Sequence, residues 1–332
     1  MNIIKENKIK YIFKKFSTSK NASPKLFPSF KFSFKFFSLT LIIFLLLSAN
    51  IKNNLNYKIV LCTVAKEENK YIKEYIDYYL NYGVNKIYIY DNNDRNGERF
   101  DKILSEYINN NTVKIINIRG KKQVQVDAFN HCSWINFQRY NWMLLFDVDE
   151  FIFLKNYTDI KDYLKEQKFD QCKALFLNEL VHTDNDQIFY QNKSVIERFP
   201  EININRSIIM VKSILKGKIK RTRIVNNHVI RLNWTGCDGS GKKIQFSNIH
   251  THNPDFKNYF FAHYFSKSSE EYLWKIGKGS VFWGNLRNVN RNYISMYFDY
   301  NKLTEEKINF FENKTEINLS FLRDRLKNSN SK

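Results

Sequence analysis

Asp147 and Asp149, two aspartates spaced by one residue, are the side chains of this 332-residue sequence whose type and spacing best suit chemistry. They follow the apolar run of residues 142–146 and precede Glu150 and the apolar residues 151–153, so they interrupt an otherwise apolar stretch. Buried charge is costly unless it is paired or bound to a metal. Carboxylates at positions i and i+2 of a strand share one face and can hold a divalent cation, which bridges naturally to a diphosphate. We interpret the pair as a metal site; a solvated turn at a strand end is the alternative.

Alternating strand and helix patterns precede the two aspartates and must position them. The first strand segment, residues 58–64, is a continuous apolar run, which is typical of parallel strands that are buried on both faces. The intervening segments repeat apolar residues at helical spacing, and Gly83 closes the first of them. This β-α-β-α-β-α-β order predicts an open α/β sheet with right-handed crossovers. The strands are expected over residues 58–64, 86–90, 113–118 and 142–146, and the helices over residues 67–82, 100–108 and 125–140.

Polar residues stand at the carboxyl ends of three of the predicted strands. They are Thr63, Asp91 and the pair Asp147 and Asp149. Ligands of open α/β sheets bind beyond the carboxyl ends of the strands. We therefore expect these side chains to converge at one edge of the sheet and to form the ligand site.

The pattern is looser after residue 155. Helices are expected over residues 159–167 and 270–276 and in the tail from residue 304, with a short strand over residues 174–177. Strand-like pieces also occur at residues 207–211 and 223–230. Because no internal repeat or linker interrupts this part, residues 52–332 are predicted to form one catalytic domain.

The N-terminal region consists of a basic segment, residues 1–29, and a mainly apolar segment, residues 30–51. The apolar segment is long enough to span a bilayer if Lys31 and Lys35 extend toward the interface. Because the lysines precede it, the positive-inside rule places the tail in the cytosol and the body in the lumen of the ER or Golgi. We predict a single-pass type II signal anchor. A cleaved signal peptide ending near Ser48 and Ala49 is the alternative, and the long basic region argues against it.

Composition fits a globular protein with anionic partners. Apolar residues make up 43% of the chain and aromatic residues 16%, and the formal net charge is +20. A basic body suits nucleotide diphosphates, a membrane surface or nucleic acid. No RNA-recognition or helix-turn-helix pattern supports nucleic acid, and the predicted anchor argues against it. A luminal body would permit N-glycosylation at seven sequons, which begin at Asn110, Asn156, Asn192, Asn205, Asn233, Asn313 and Asn318.

The four cysteines show neither a CxxC spacing nor a metal-finger pattern. Cys62 lies in the first predicted strand, and we expect it to be a buried thiol. A disulfide among Cys132, Cys172 and Cys237 is compatible with an oxidising compartment, although spacing does not give the pairing.

Several ordered sequence boxes resemble glycosyltransferase family 92 and related family 2-like enzymes. Residues 63–75 are similar to a Lys-Asn-Glu box that begins the first helix of the family, and residues 88–93 to a Tyr-Asp-Asn box. The segment 125–132 resembles the one that precedes the family's Asp-x-Asp-Glu-Phe box, which is residues 147–151 here. Further similar boxes lie at residues 197–199, 212–214, 263–264, 267–268 and 270–271. Two departures are Glu67, where the family usually has Asn, and Tyr79, where a His often closes the helix.

The resemblance implies a GT-A fold, in which an open mixed sheet flanked by helices has a Rossmann-like nucleotide-binding half and an acceptor-side half. It further implies an inverting hexosyltransferase that uses a nucleotide-sugar donor, most often a UDP-sugar and frequently galactose, with Mn²⁺ or Mg²⁺ as cofactor. The acceptor would be a hydroxyl of a glycan or glycoconjugate. The residues that would bind the donor are Thr63, Lys66, Glu68, Asp91, Asn92 and Gln125, and those that would hold the metal are Asp147, Asp149 and His263.

Inversion requires a carboxylate that removes a proton from the attacking hydroxyl. Asp184 is the first candidate for this base, with Glu197 and Asp238 as alternatives, and each has the alternative role of an ordinary loop acid. His263 has the alternative role of a core or surface histidine, and Asp91 that of a turn acid. Other residues with a possible ligand role are Lys212, Arg221, His228, His250, His252, Lys267, Trp274, Phe282 and Trp283.

A membrane-anchored, metal-dependent glycosyltransferase is thus the function that the sequence favours. A catalytically inactive, GT-A-like luminal protein that binds glycans is the alternative. The intact Asp147 and Asp149 argue against that alternative, because an abandoned metal site has no reason to keep charges beside a buried strand.

Overall fold

A mixed β-sheet forms the centre of the protein. The computed structural model describes residues 57–204, 210–217, 224, 228, 236–244, 255–279 and 289–330. The strands are β1 (Ile59–Ala65), β2 (Lys86–Asp91), β3 (Val113–Asn117), β4 (Trp142–Leu145), β5 (Glu150–Leu154), β6 (Ala174–Val181), β7 (Val211–Lys216), β8 (Gly236–Asp238), β9 (Lys243–Ile244) and β10 (Tyr259–His263).

The helices flank this sheet and follow it at the C-terminal end of the chain. They are α1 (Ile72–Asn81), α2 (Phe100–Ile103), α3 (Ser105–Asn109), α4 (Gln125–Asn136), α5 (Ile160–Leu164), α6 (Val195–Arg198), α7 (Ser269–Gly277), α8 (Arg291–Tyr300), α9 (Glu305–Thr315) and α10 (Ser320–Asn330).

The strands of the described residues follow the order β3-β2-β1-β4-β7-β6-β10-β5, and β8 pairs with β6 and β9. The first four are parallel, which confirms the α/β order predicted for the first half of the domain. β7 runs antiparallel to both of its neighbours, β4 and β6. β10 is parallel to β6 and antiparallel to β5. The sheet is therefore mixed, as the resemblance implied.

The sheet must curl, because β4 and β5 are close along the chain and far apart in the strand order. Five peptide units join Leu145 to Glu150 and span at most about 18 Å, whereas four strand spacings in a flat sheet are about 19 Å. In addition, the carboxylate of Glu150 in β5 lies 3.0 Å from the ammonium of Lys212 in β7. Curling thus brings β5 and β7 close to each other beside the connection between β4 and β5.

The core confirms why the first strands were predictable. Every residue of β1, β2 and β4 is buried, so each appears in the sequence as a continuous apolar run. Three buried aromatic side chains of α1 and β5, Tyr75, Tyr79 and Phe151, pack together at ring distances of 4.9 to 6.4 Å. Gly83 follows α1 with a φ of 96°, a left-handed conformation that suits glycine at a helix end.

The predicted helix boundaries differ from the structure in places. α1 begins at Ile72 rather than at Glu67, because Glu67 has a φ of 54° and cannot continue a right-handed helix. The single helix expected over residues 100–108 is two short helices, α2 and α3. β6 extends to Val181, and α8 and β10 were not predicted.

All four cysteines form disulfides, Cys62 with Cys132 and Cys172 with Cys237. The prediction that Cys62 is a plain thiol was wrong. An apolar strand pattern does not show that α4 packs on β1 with Cys132 facing Cys62. The second pair is one of those that the sequence left open.

The predicted cytosolic tail and transmembrane anchor lie outside the described residues. None of the described helices is both long and apolar enough to cross a bilayer. Other residues of interest that lie outside the described ranges are Arg221, His250, His252, Phe282, Trp283 and the sequons at Asn205 and Asn233.

Candidate active site

Asp147, Val148 and Asp149 lie in the turn between β4 and β5, which we call the acidic turn. The expectation that the two carboxylates share the face of a strand was wrong, because these residues have no strand conformation. Glu150 holds the turn through two hydrogen bonds to Asp147. The amide of Glu150 donates to the carbonyl of Asp147 at 3.1 Å, and its carboxylate accepts from the amide of Asp147 at 2.9 Å. The local backbone is thereby fixed.

Asp147 is bound to two side chains from neighbouring elements. Lys212 of β7 donates to its Oδ2 at 2.6 Å, and Gln125 of α4 donates to its Oδ1 at 2.7 Å. Burial by itself would lower the pKa of Lys212, but Asp147 and Glu150 raise it above its ordinary value. Burial has the opposite effect on a carboxyl group, and it raises the pKa of Glu150 to about 7. The structure thus places Gln125 beside the predicted metal pair.

Asp149 faces a different set of partners. The ammonium of Lys275 in α7 lies 2.7 Å from its Oδ2, and Nε2 of His263 lies 3.6 Å from the same atom. The other ring nitrogen of His263 contacts Glu179 of β6. Burial alone would lower the pKa of His263, but Asp149 and Glu179 raise it to about 10. Asp149 has a pKa well below its ordinary value because Lys275 and His263 outweigh its burial.

The donor atoms around Asp149 suit a divalent ion. Carboxylate and imidazole groups are ligands that Mn²⁺ accepts, and a carboxylate on the far side of a ligating histidine fixes its orientation. Asp149, His263 and Glu179 have this arrangement. In the parts of the chain that the structure covers, no three His, Cys, Asp or Glu side chains are grouped as a ready-made metal site. An ion would therefore be held by Asp149 and His263 only once Lys275 has moved away from Asp149 and His263 has lost the proton that its raised pKa retains.

The predicted donor-binding residues lie along the carboxyl edge of β1 and β2. Thr63 is fully buried in β1. Asp91 accepts a hydrogen bond from Arg119 at 2.9 Å, and Asn92 donates to the carbonyl groups of residues 118 and 121. These contacts fix the loops after β2 and β3. Lys66 lies 3.3 Å from Asp94 across the same edge.

Glu67 adopts the left-handed conformation, and its amide donates to the side chain of Asn93 at 2.6 Å. Among residues other than glycine, Asn and Asp tolerate this conformation best. The conformation gives a physical reason for the Asn that the family usually has at this position. Glu67 in place of the usual Asn therefore adds strain to the backbone, while the hydrogen bond to Asn93, which the backbone amide makes, does not depend on the side chain.

The three candidates for the base have different surroundings. Asp184 is buried, and its Oδ2 lies 2.7 Å from the ammonium of Lys307 and accepts a hydrogen bond from Tyr297. Asp238 binds the amides of the next turn, at Ser240 and Lys242. The side chain of Glu197 in α6 is exposed. Only Glu197 has the open carboxylate that proton abstraction from an acceptor needs in this arrangement.

A cleft with a cavity volume of about 130 Å³ lies between the end of β1 and α7. Lys275 lines it and connects it to Asp149, while Glu68 lines it and pairs with Lys278. The remaining lining residues are Glu67, Lys70, Tyr71, Glu98, Lys267, Glu271 and Trp274. None of the three candidates for the base lines this cleft.

Sequence reasoning missed Glu179, Lys275 and Lys278. Lys275 and Lys278 are three residues apart, so helical spacing alone places both on one side of a helix. Nothing local shows which element that side meets. Glu179 lies in an apolar strand, and a charged residue in such a strand was the one signal that could have marked it.

The chain belongs to glycosyltransferase family 92. The model of the family described as "Glycosyltransferase family 92" matches residues 57–323. A family 92 protein of Ricinus communis is 25% identical over 111 residues, which are 33% of this chain and 20% of that protein. One of Arabidopsis thaliana is 29% identical over 104 residues, which are 31% of this chain and 17% of that protein. The matched segments thus span about a fifth of these relatives.

Among solved structures, the chain is similar to TarS of S. aureus. A crystal structure of TarS 1–349 matches with a TM-score of 0.37 and 12% identity, covering 76% of this chain and 69% of that one. Its complex with UDP matches with a TM-score of 0.32 and 15% identity, covering 48% and 47%.

Proposed function

We propose that this protein transfers a hexose from a UDP-sugar to a hydroxyl of a glycan or glycoconjugate, with a divalent cation and with inversion at the sugar carbon. Membership of glycosyltransferase family 92 supports the reaction class. The observation that carries the proposal is the acidic turn, whose Asp149 has His263 and Lys275 within 3.6 Å of its Oδ2. Galactose is the sugar that we would test first.

The charges at this edge suit a nucleoside diphosphate as leaving group. Negative charge develops on the diphosphate as the bond to the sugar breaks, and fixed cations stabilise that charge. Lys275 and Lys278 of α7 stand at the cleft beside the acidic turn. A divalent ion held by Asp149 and His263, with Asp147 nearby, would supply additional charge stabilisation when bound. Asp91 would border the nucleoside at the end of β2, whereas Thr63 is fully buried within β1 and would not contact it.

The acceptor hydroxyl needs a base, and the three candidates differ in access. Asp184 is enclosed by Lys307 and Tyr297, so we assign it a structural role. Glu197 is exposed in α6, outside the cleft and next to Arg198, which binds Glu271 in the wall of the cleft. Of the three, Glu197 is the one whose carboxylate an acceptor can reach, and we assign no side chain that lines the cleft as the base.

The test is donor hydrolysis by the full chain, purified in detergent, with a panel of UDP-sugars and with either Mn²⁺ or EDTA. We expect one donor to be hydrolysed with Mn²⁺ and none with EDTA. Asp149→Ala should lower the rate by about a hundredfold or more, because it removes charge stabilisation at the leaving group.

Asp162→Ala is the matched control, because Asp162 is an exposed carboxylate in α5 that pairs with Lys165. Its rate should equal that of the wild type. Turnover that is the same in EDTA would refute the metal dependence, and Lys275 and Lys212 would then act as the permanent partners of the two aspartates. The absence of any donor binding or turnover would favour the inactive glycan-binding alternative.

We also propose that the body lies in the lumen of the Golgi or ER, behind the predicted type II anchor. Two disulfides support this, because disulfides persist in oxidising compartments and are rare in the cytosol. Protease protection in sealed microsomes tests the orientation. A body that is digested without detergent would contradict it.

A further inference from the structure

An aromatic pair stands at the mouth of the cleft. Trp274 of α7 lines the cleft and is 38% exposed, so part of its ring is accessible from the cleft. Tyr190 lies beside it, with ring centroids 5.5 Å apart. The neighbouring residue of Trp274, Lys275, contacts Asp149 of the acidic turn at 2.7 Å. Trp274 is therefore adjacent in sequence to the residue of α7 that contacts the proposed reaction centre.

Polar groups surround the two rings. The ammonium of Lys70 lies over a face of each ring, 4.8 Å from the centroid of Tyr190 and 5.1 Å from that of Trp274, so a sugar that stacks on this face of Trp274 must displace the ammonium. Glu67 and Glu98 line the same cleft. An aromatic ring bordered by hydrogen-bonding groups matches a pyranose, which has apolar C–H faces and a rim of hydroxyls.

The size of the cleft also favours a single ring. Its cavity volume of about 130 Å³ is smaller than that of sites that enclose a drug-sized ligand, roughly 300 to 1,000 Å³. A whole nucleotide sugar exceeds it. Only part of a larger ligand can therefore occupy it, with the rest in solvent.

The aromatic pair is held in place by buried contacts, so it does not need a ligand to form. The amide of Tyr190 donates to the carboxylate of Glu270 at 2.8 Å, and the guanidinium of Arg198 lies 5.5 Å from the Tyr190 ring. α7 itself begins with a capping box of Ser268 and Glu271. Preorganisation of this kind lowers the entropy cost of binding.

We propose that Trp274 and Tyr190 form the subsite for one pyranose ring of the acceptor, with the ring stacked on Trp274 and its hydroxyls directed at Lys70 and Glu98. This subsite rests on the proposed transferase function, because it receives the sugar whose hydroxyl attacks the donor. The competing occupant is the base of the donor nucleotide, which also has a flat face that can stack on Trp274.

The test measures saccharide and nucleotide binding separately on the full chain in detergent. Saturation-transfer NMR is recorded with methyl glycosides of galactose, mannose, glucose, N-acetylglucosamine and fucose, in the presence of Mn²⁺ and UDP. We expect at least one glycoside to bind the wild type through the C–H protons of its ring. Trp274→Ala should weaken that binding about tenfold, whereas Trp274→Phe, which keeps a ring, should weaken it about threefold or less.

Calorimetry with UDP gives the second measurement, and Trp134→Ala is the matched control. Trp134 is 76% exposed on α4 and does not line the cleft, so its removal should leave both affinities unchanged. Tyr190→Ala provides a second variant of the pair in case Trp274→Ala lowers the yield of folded protein. It should weaken the same glycoside.

Three outcomes would overturn the subsite. They are no binding of any glycoside to the wild type, equal binding by wild type and Trp274→Ala, and a loss of UDP affinity in Trp274→Ala as large as the loss of glycoside affinity. The last outcome would assign the ring to the nucleotide. Failure of the transferase function is distinguishable, because it appears as absent UDP binding and donor hydrolysis in the wild type.

Discussion

Asp184 and Lys307 form a buried ion pair, with side chains that are each 2% exposed and charged atoms 2.7 Å apart. Burial raises the pKa of Asp184, and Lys307 and Tyr297 offset part of this rise. The amide of Asp184 also donates to the side chain of Asn301 at 2.6 Å. At the scale of single residues, these contacts fasten the loop after β6 to α8 and α9 and leave the carboxylate no access to an acceptor.

Asp184→Asn should therefore act on stability. It leaves Lys307 buried with only Asp186 as a charged partner, and breaking a buried pair costs about 3 kcal/mol or more. Urea denaturation measures the loss of unfolding free energy, and donor hydrolysis per folded molecule should change by less than about threefold.

Asp186→Asn is the control for this experiment, because its carboxylate contacts the same lysine but is 58% exposed. It should cost less than about 1 kcal/mol. A variant Asp184→Asn with native stability and a hydrolysis or transfer rate reduced by a hundredfold would instead restore Asp184 as the base.

At the scale of elements, α7 unites most of the site. The carboxylate of Glu271 closes the capping box with Ser268, receives two hydrogen bonds of 2.8 Å from Arg198 of α6, and accepts one from Tyr71. The next turn of the helix carries Trp274 and Lys275, and Lys278 follows at its end. A displacement of α7 would thus alter the aromatic pair and the partner of Asp149 together.

The Arg198–Glu271 pair should make stability depend on pH. Burial by itself would raise the pKa of Glu271, but hydrogen bonds from Arg198 and Ser268 hold it below its ordinary value of 4.5. A carboxyl whose pKa is lowered by folding stabilises the protein above its unfolded pKa and loses this contribution as pH falls through the folded pKa. Glu271→Gln should be about 3 kcal/mol less stable than the wild type at pH 7, and the difference should shrink below pH 4.5.

Thermal unfolding of both proteins between pH 3 and pH 8 checks this expectation. Glu306→Gln, at an exposed position of α9, should follow the wild type at every pH. A stability difference that does not vary with pH would mean that the charge of Glu271 is not the source of its contribution.

The same scale shows what the sequence could predict. β1, β2 and β4 were predictable because buried parallel strands are largely apolar, and α1 because it has a regular apolar stripe. α8 was missed because aromatic residues such as Tyr293 and Phe298 have only moderate helix propensity, and its helix depends on packing against α7 and α9. From strand order alone the site was predictable only where residues follow a strand, and Gln125, Lys212 and His263 were named through the resemblance to the family. Lys212, Glu179 and Lys275 reach the acidic turn through strand order and helix docking, which no local pattern contains.

At the scale of the whole molecule, two disulfides tie distant segments together. Cys62 of β1 is joined to Cys132 of α4, and Cys172 just before β6 to Cys237 of β8. They enclose loops of 70 and 65 residues in sequence separation. One bridge therefore fastens the helix that carries Gln125 to β1, and the other fastens the segment before β6 to β8.

Each disulfide should contribute about 2 to 5 kcal/mol to stability, because it restricts the unfolded chain. Cys172→Ser with Cys237→Ser should lower the unfolding midpoint, and treatment of the wild type with a reductant should lower it further, since both bridges are then lost. Thiol titration of the denatured, unreduced wild type should find no free thiol. Four free thiols in freshly purified protein would contradict both pairings.

The curled strand order also has a consequence for the synthesis of the protein. β5 pairs with β10 and contacts Lys212 of β7. Of the partners of the acidic turn, Gln125 is made before the turn, whereas Lys212, His263 and Lys275 are made later. Roughly a hundred residues separate Asp149 from His263, which corresponds to on the order of 10 s of translation. During that interval the nascent chain carries two aspartates without His263 or Lys275. The site can therefore mature only after residue 275 has been made, and nascent chains released before residue 275 carry the acidic turn without this lysine.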